Sequence, residues 1–242
     1  MAEFNWKQLA GSVAISGIEK FKNSGSKAQV SNLVADLIEN LKVSFQNEIN
    51  VQMFSDGTGN GSKDIGGLAL LVEEGTAWST VGGISSNTYS FWRNQWTGAI
   101  GSFGGAGEGA MLTMWNNCAR QVGKIKPDLI ITDQSTYESY HNAGVRLQRV
   151  VSSDKGMLDL GFPNLEFLGT PLTWDSDCTA GYMYFLSSSC FNWNVGKGFD
   201  LKSTPFVRPD DQDAESMLVL LYCNLSTGNR RRNGVLTAIT NP

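Results

Sequence analysis

The chain has 242 residues, with 19 Lys and Arg against 23 Asp and Glu, a net charge of −4 and only 17% charged residues. This length supports one large domain or two smaller ones, with a core that needs no disulfide support. The acidic balance argues against a broadly basic nucleic-acid surface, and no apolar run reaches the roughly 20 residues of a membrane-spanning helix.

Residues 4–15 alternate partly between apolar and polar side chains, with Phe4, Trp6, Val13 and Ile15. They are expected to form an extended arm or strand, one that finds no partner before it in the chain. Ile18, Phe21 and a turn at 23–25 lead into the longest periodic stretch. Over residues 26–54, Val30, Leu33, Val34, Leu37, Ile38, Leu41, Phe45, Ile49 and Met53 recur at helical spacing, without Gly or Pro. A helix of that length would span about 40 Å. Ser26 is expected to cap it, the Gly-rich segment 56–61 to end it, and Leu37 to lie in its buried face.

Further on, 54–67 reads as a turn or loop, 68–72 as a short strand, 80–84 as a turn and 90–96 as an aromatic strand. A glycine-rich passage over 100–109 precedes a second amphipathic helix through Ala110, Met111, Met114, Trp115 and Cys118, expected to end near Gly123. Residues 128–133 form a strongly β-prone strand, followed by a helix over 135–141. Residues 158–162 read as helix or turn, whereas 165–168, 170–174 and 181–186 read as strands. A long apolar strand runs over 217–225, a basic turn covers 229–233, and 234–239 is the returning strand. The sequence therefore suggests one region made of the long helix and the C-terminal strands, and a middle insertion with strands sandwiched by helices.

Cys118, Cys178, Cys190 and Cys223 form no close pair and match no zinc module, so they are expected to be reduced and mostly buried, with a Cys178–Cys190 bridge as the alternative. His141 is the only histidine. No serine sits in a nucleophile elbow, so His141 reads as a helix-face or helix-end residue. The segment Gly105-Ala106-Gly107-Glu108-Gly109 has the wrong spacing for a dinucleotide fingerprint. Asp56-Gly57-Thr58-Gly59-Asn60-Gly61 lacks the Lys-Ser/Thr of a phosphate loop and the closing Glu of a calcium hand. Asp175 with Asp177, and Asp211 with Asp213, read as solvated loop carboxylates. Arg230-Arg231-Arg232 is a concentrated positive turn on an acidic chain, suited to a subunit contact or to phosphate. No catalytic residue, cofactor or metal is expected. The low charge also gives a surface rich in Asn, Ser, Thr and Gly that is cheap to desolvate in protein contacts.

Several stretches taken together resemble a family: Phe4-Asn5-Trp6-Lys7-Gln8, Phe54-Ser55-Asp56-Gly57-Thr58-Gly59-Asn60-Gly61, Thr80-Val81-Gly82-Gly83-Ile84, Phe91-Trp92-Arg93-Asn94, Lys126-Pro127-Asp128-Leu129-Ile130-Ile131-Thr132, Thr204-Pro205-Phe206-Val207-Arg208-Pro209 and Asn229-Arg230-Arg231-Arg232-Asn233-Gly234-Val235-Leu236-Thr237. In that order they resemble the major capsid proteins of tailed bacteriophages, whose coat fold is shared with encapsulins and herpesvirus shell floors. The resemblance implies an α+β fold. Residues 1–25 would be a remnant of an extended loop with its lead-in. Residues 26–126 and 201–242 would be a peripheral domain with a spine helix, and 127–200 an axial domain. Residues 4–15 would be the returning strand of the loop that overlaps a neighbour, the N-terminal arm and outgoing strand being expected to be missing. It further implies a non-catalytic shell subunit of the virion capsid, assembled in the host cytoplasm into pentamers and hexamers around double-stranded DNA. Scaffolding, portal or decoration proteins would be its partners, and a membrane would not. Phe4, Trp6, Lys7, Arg230, Arg231 and Arg232 would then be inter-subunit contacts. The competing readings are an encapsulin-like compartment, an α/β enzyme and a tail component.

Overall fold

The computed structural model describes residues 1–22, 27–75, 78–119, 126–151 and 165–240, with side chains set aside at 27–32 and 144–151. In chain order these form strand β1 (Lys7–Ser16), helices α1 (Gly17–Lys22) and α2 (Lys27–Met53), the helical turn α3 (Gly59–Ser62) and helix α4 (Leu68–Leu71). Next come strands β2 (Thr80–Val81), β3 (Ile84–Ser85), β4 (Gln95–Thr97) and β5 (Gly101–Ser102), helix α5 (Glu108–Cys118), strand β6 (Leu129–Thr132) and helix α6 (Gln134–Val151). Strands β7 (Leu165–Phe167), β8 (Thr170–Trp174), β9 (Met183–Leu186), β10 (Phe191–Val195), β11 (Lys202–Ser203), β12 (Ala214–Thr227), β13 (Gly234–Leu236) and β14 (Ile239–Thr240) complete it. The chain alternates between two compact units, one of Asn5–Gly66 and Trp193–Leu225, the other of Met1–Phe4, Gly67–Asn192 and Ser226–Pro242.

The first unit is a sheet in the order β1-β12-β10, with β11 also on β12, and the long helix α2. The strand with no hairpin partner before it is paired by one far after it: β1 pairs antiparallel with β12 from Lys7↔Cys223 to Ser16↔Ala214. Alternation decides which face is buried. Leu9, Val13 and Ile15 are buried with Met217, Val219, Leu221 and Cys223, whereas Gln8, Ala10, Ser12 and Ala14 are exposed. Helix α2 covers the buried face. It comes so close at Gly11 that a Cβ there would stand 2.6 Å from Leu41 Cδ1 and 2.9 Å from Phe45 Cε2. Phe45, 5% exposed, is the helix's buried anchor, whereas Leu37 is only half-buried. In the last turn of α2 the Gln52 side chain accepts from Ile65 N at 3.0 Å, and beyond it the Asp56 carboxylate accepts from Thr58 N and its hydroxyl. These contacts turn the chain where the glycines allow it.

The second unit is built on a mixed sheet in the order β4-β13-β9-β6-β8-β7. Helix α5 places Met111, Met114 and Cys118 at i, i+3 and i+7 in a core with Ile130, Met183, Phe185 and Leu236. Residues 108–118, expected with the long helix, therefore pack in this unit. Segment 234–239 does not return onto β12. Instead β13 pairs antiparallel with β9 and parallel with β4, and β14 pairs parallel with β5. Residues 68–71 are helical, not extended, because Leu70 N and Leu71 N both bond Gly67 O and Leu68 and Leu71 turn inward together. Within 90–96, Ser90–Trp92 is a 3₁₀ turn and only β4 is extended. The segment 80–84 is a hairpin, with left-handed Gly82 and Gly83 between β2 and β3. Helix α6 runs well past its expected end at residue 141. Its start is fixed by Asp133, whose carboxylate accepts from Ser135 Oγ at 2.5 Å and from Thr136 N at 3.3 Å.

The four cysteines are free and buried, so Cys178 and Cys190 form no bridge. The helix expected to end near Gly123 stops at Cys118, because Ala119 is already extended. The Ser26 cap, the turn at 23–25 and segment 158–162 lie outside the described residues.

Candidate assembly surfaces

The basic turn is built from the inside. Arg230–Arg232 form one 3₁₀ turn, opened by the Asn229 side chain accepting from Arg231 N at 3.2 Å. Asn233 closes it, donating to Asn229 O at 3.1 Å and accepting from Ser187 N at 2.8 Å. Arg230 does not share the surface with its neighbours, because its side chain is 0% exposed. Its guanidinium donates to Leu71 O at 2.7 Å, Ser86 Oγ at 2.6 Å and Glu73 Oε2 at 2.8 Å. Longer bonds of 3.3 Å run to Leu70 O, Trp92 O and Asn94 Oδ1. Burial lowers the Arg230 pKa from its ordinary value, and the Glu73 carboxylate opposes that shift. Glu73 also accepts from Ser79, and Asn94 clasps its backbone through Glu73 N and Glu73 O. One buried arginine thus ties together the end of α4, the β2–β3 hairpin and the turn before β4. Arg231 and Arg232 remain half-buried at the surface.

The expected N-terminal contact residues separate. Glu3 N bonds Gly82 O at 2.9 Å, and Phe4 is half-buried against Gly82. Lys7 Nζ reaches Ser62 O at 2.5 Å. Trp6 projects, 61% exposed. Among the described residues β1 is an edge strand, with β12 on one side and no strand on the other. Apart from Lys7 it carries no charge, and it has no proline, so little protects that edge from pairing. Large apolar side chains are also displayed in both units: Ile18, Phe21 and Val207 in the first, Tyr89, Phe91 and Leu168 in the second.

The residues examined for chemistry are dispersed. His141 is exposed on α6. Asp175 accepts from Asp177 N at 2.9 Å as a loop closure, and Asp213 pairs with Arg208 at 2.7 Å in solvent. Residues Phe103–Gly107 form a π turn that leads from β5 directly into α5. Burial pushes the Cys118 and Cys178 thiols up to about 12, away from a reactive thiolate. Among the described residues, no three His, Cys, Asp or Glu side chains are placed to hold a metal ion, and no helix is long and apolar enough to cross a membrane. The buried role of Arg230 escaped the sequence reading. The flanking Asn229 and Asn233 signal a fixed turn, but not which arginine enters it.

No protein-family model and no curated protein sequence matches the chain. Solved structures do. A chain of the cyanophage A-1(L) capsid asymmetric unit matches 97% of this chain and 78% of its own length, at 17% identity and TM-score 0.75. The SrpI encapsulin of Synechococcus elongatus PCC 7942 matches 97% of this chain and 74% of its own, at 12% identity and TM-score 0.60. A chain of the satellite phage P4 procapsid matches 99% of this chain and 72% of its own, at 9% identity and TM-score 0.59. The mixed α/β fold is the one these phage capsid and encapsulin shells are built from.

Proposed function

We propose that the chain is a structural subunit of a closed icosahedral shell, of the tailed-phage head type, whose copies form pentamers and hexamers around double-stranded DNA. The observation that carries this reading is the likeness, over 97% of the chain at TM-score 0.75, to a capsid subunit. The displayed apolar side chains and the weakly protected β1 edge support it, because a shell subunit must bury several interfaces at once. In this reading α2 is the spine of the peripheral part, packed on β1 and β12, and residues 127–200 gather around the symmetry axes as the axial part. Residues 4–15 reach a neighbour, with Trp6 as the apolar anchor beside Phe4 and Lys7. Arg231 and Arg232 face a neighbouring subunit or the DNA phosphates without sequence preference, on a turn that Arg230 holds from below. Scaffolding, portal or decoration proteins are the further partners, and the virion capsid, assembled in the host cytoplasm, is the location.

A second reading, an encapsulin-like compartment that encloses protein cargo, is favoured by the likeness to the SrpI encapsulin at TM-score 0.60. Negative-stain imaging of the purified chain across protein concentrations tests both. Rings, capsomers or closed particles support a shell subunit, and a monomer at every concentration overturns it. Nuclease-protected DNA in the particles identifies the phage-type shell, whereas co-purifying protein inside DNA-free particles identifies the compartment.

A further inference from the structure

Two Asn-Gly steps occur in the sequence, Asn60-Gly61 and Asn233-Gly234. At such a step the backbone can attack the asparagine side chain, because glycine offers its nitrogen with no side chain in the way. The fold treats the two steps in opposite ways.

Asn233 is 1% exposed. Its side chain donates to Asn229 O at 3.1 Å and accepts from Ser187 N at 2.8 Å, so the amide is fixed at both ends. Gly234 lies in β13, between Phe185 of β9 and Gln95 of β4. The related step Asp56-Gly57 is held as well. The Asp56 carboxylate accepts from Thr58 N at 3.0 Å and from Thr58 Oγ1 at 2.7 Å, and these bonds keep it ionised and a poor electrophile.

Asn60, by contrast, is exposed in the turn α3, and none of the described residues bonds its side chain. Gly61 faces open space, since a Cβ there would meet nothing within 4 Å. The turn is also strained. Asn60, Gly61 and Ser62 follow one another in the left-handed region, at φ 49°, 66° and 66°. Residues with side chains enter that region at a cost and rarely in succession. Two bonds close the turn, Ser62 N to Thr58 O at 3.1 Å and Lys63 N to Gly59 O at 3.2 Å. An exposed turn with strain and few bonds opens readily.

We propose that Asn60 is a site of spontaneous deamidation in the folded chain. Opening of the turn rotates the peptide after Asn60 away from ψ 40° until Gly61 N meets Asn60 Cγ. The bond from Gly61 N to Cγ forms, the Cγ–Nδ2 bond breaks, and ammonia leaves with the Gly61 amide proton. Water then opens the five-membered succinimide. Addition at Cγ gives aspartate at position 60, and addition at the backbone carbonyl gives isoaspartate. Either product places a new negative charge beside Glu48 and Asp64, which border the same hollow. The aspartate keeps the turn, because Asp tolerates the left-handed region. The isoaspartate adds a methylene to the main chain at a position that both closing bonds span, so the turn opens. Ser62 O, which receives Lys7 Nζ at 2.5 Å, then shifts, and the start of β1 loses that tie. This chemistry is local to α3 and does not rest on the shell reading.

Ageing the purified full chain at pH 8, in native buffer and in urea, tests it by peptide mapping with mass spectrometry. In the native chain, conversion at Asn60 should outpace conversion at Asn233 by about tenfold or more, the protection of a buried and paired site. In urea the two rates should converge, because both are then open Asn-Gly steps. Asn60→Gln should abolish the acidic species that ageing produces on ion exchange, since the ring that Gln must close is six-membered and forms far more slowly. Hydrogen exchange at Ser62 and Lys63 should quicken in the isoaspartate fraction and stay parent-like in Asn60→Asp. An Asn60 that survives native ageing as well as Asn233 overturns the proposal. So does an acidic species that persists in Asn60→Gln. Parent-like exchange in the isoaspartate fraction overturns the predicted opening of the turn.

Discussion

Replacing Arg230 by Met tests the claim that the basic turn is held from inside. The substitution keeps an unbranched apolar stem and deletes the guanidinium. Six acceptors lose a donor: Leu70 O, Leu71 O, Ser86 Oγ, Trp92 O, Glu73 Oε2 and Asn94 Oδ1, the last still accepting from Glu73 N. Glu73 matters most, because its side chain is only 10% exposed and Arg230 is its cationic partner. Summing about 1.5–3 kcal/mol for each hydrogen bond to a charged group would exceed the whole stability of many domains. Bonds sharing one guanidinium are not additive, however. The better guide is the cost of removing one partner from a buried ion pair, about 3–5 kcal/mol. Urea unfolding of Arg230→Met should show a loss of that size. Hydrogen exchange should place it in residues 81–97, where Ser86, Trp92 and Asn94 lie. The double variant Arg230→Met, Glu73→Leu should recover part of the loss, since no carboxylate is then left unpaired. A loss under about 1 kcal/mol, or a double variant no better than the sum of the singles, would refute the reasoning.

Phe45→Ala should cost about 3–5 kcal/mol, the usual cost for a buried aromatic, and Leu37→Ala clearly less, because Leu37 is only half-buried; paired urea melts check the order. Burial alone would raise the Asp133 pKa, but bonds from Ser135, Thr136 and Gly181 outweigh it and hold the carboxyl below its usual value. The stability it contributes is therefore present above the unfolded value of about 3.9 and lost as pH falls through the depressed native value. Acid unfolding of Asp133→Asn should lack that component when melts are compared from pH 6 down to 2. The Cys118 and Cys178 thiols should stay unmodified by an aromatic disulfide reagent at pH 8 in the native chain and react at once in urea, since burial pushes both up to about 12.

Local chemistry alone determined a good part of this protein. An uninterrupted helical period, with no Gly or Pro, specifies α2 to within a residue at each end, because the hydrogen bonds of a helix lie within the segment itself. The β-branched run around Ile130 and Ile131 specifies β6, and widely spaced cysteines with one histidine already argue against metal or thiol chemistry. Tertiary structure decided the partners. A strand's alternation states which face is buried but not which strand lies beside it. The pairing of Lys7 with Cys223 therefore could not be read from residues 4–15. For the same reason the last strands, apolar and β-prone like β12, went elsewhere: β13 joined β4 and β9 in the mixed sheet, and β14 paired with β5 in a two-stranded one. Leu68–Leu71 became a helix because Gly67 O collected the following N–H groups in a setting that buried Leu68 and Leu71. Most of all, three consecutive arginines look alike in sequence. Only the acceptors gathered from residues 70–94 explain why Arg230 is drawn inside and Arg231 and Arg232 are left for whatever the turn meets.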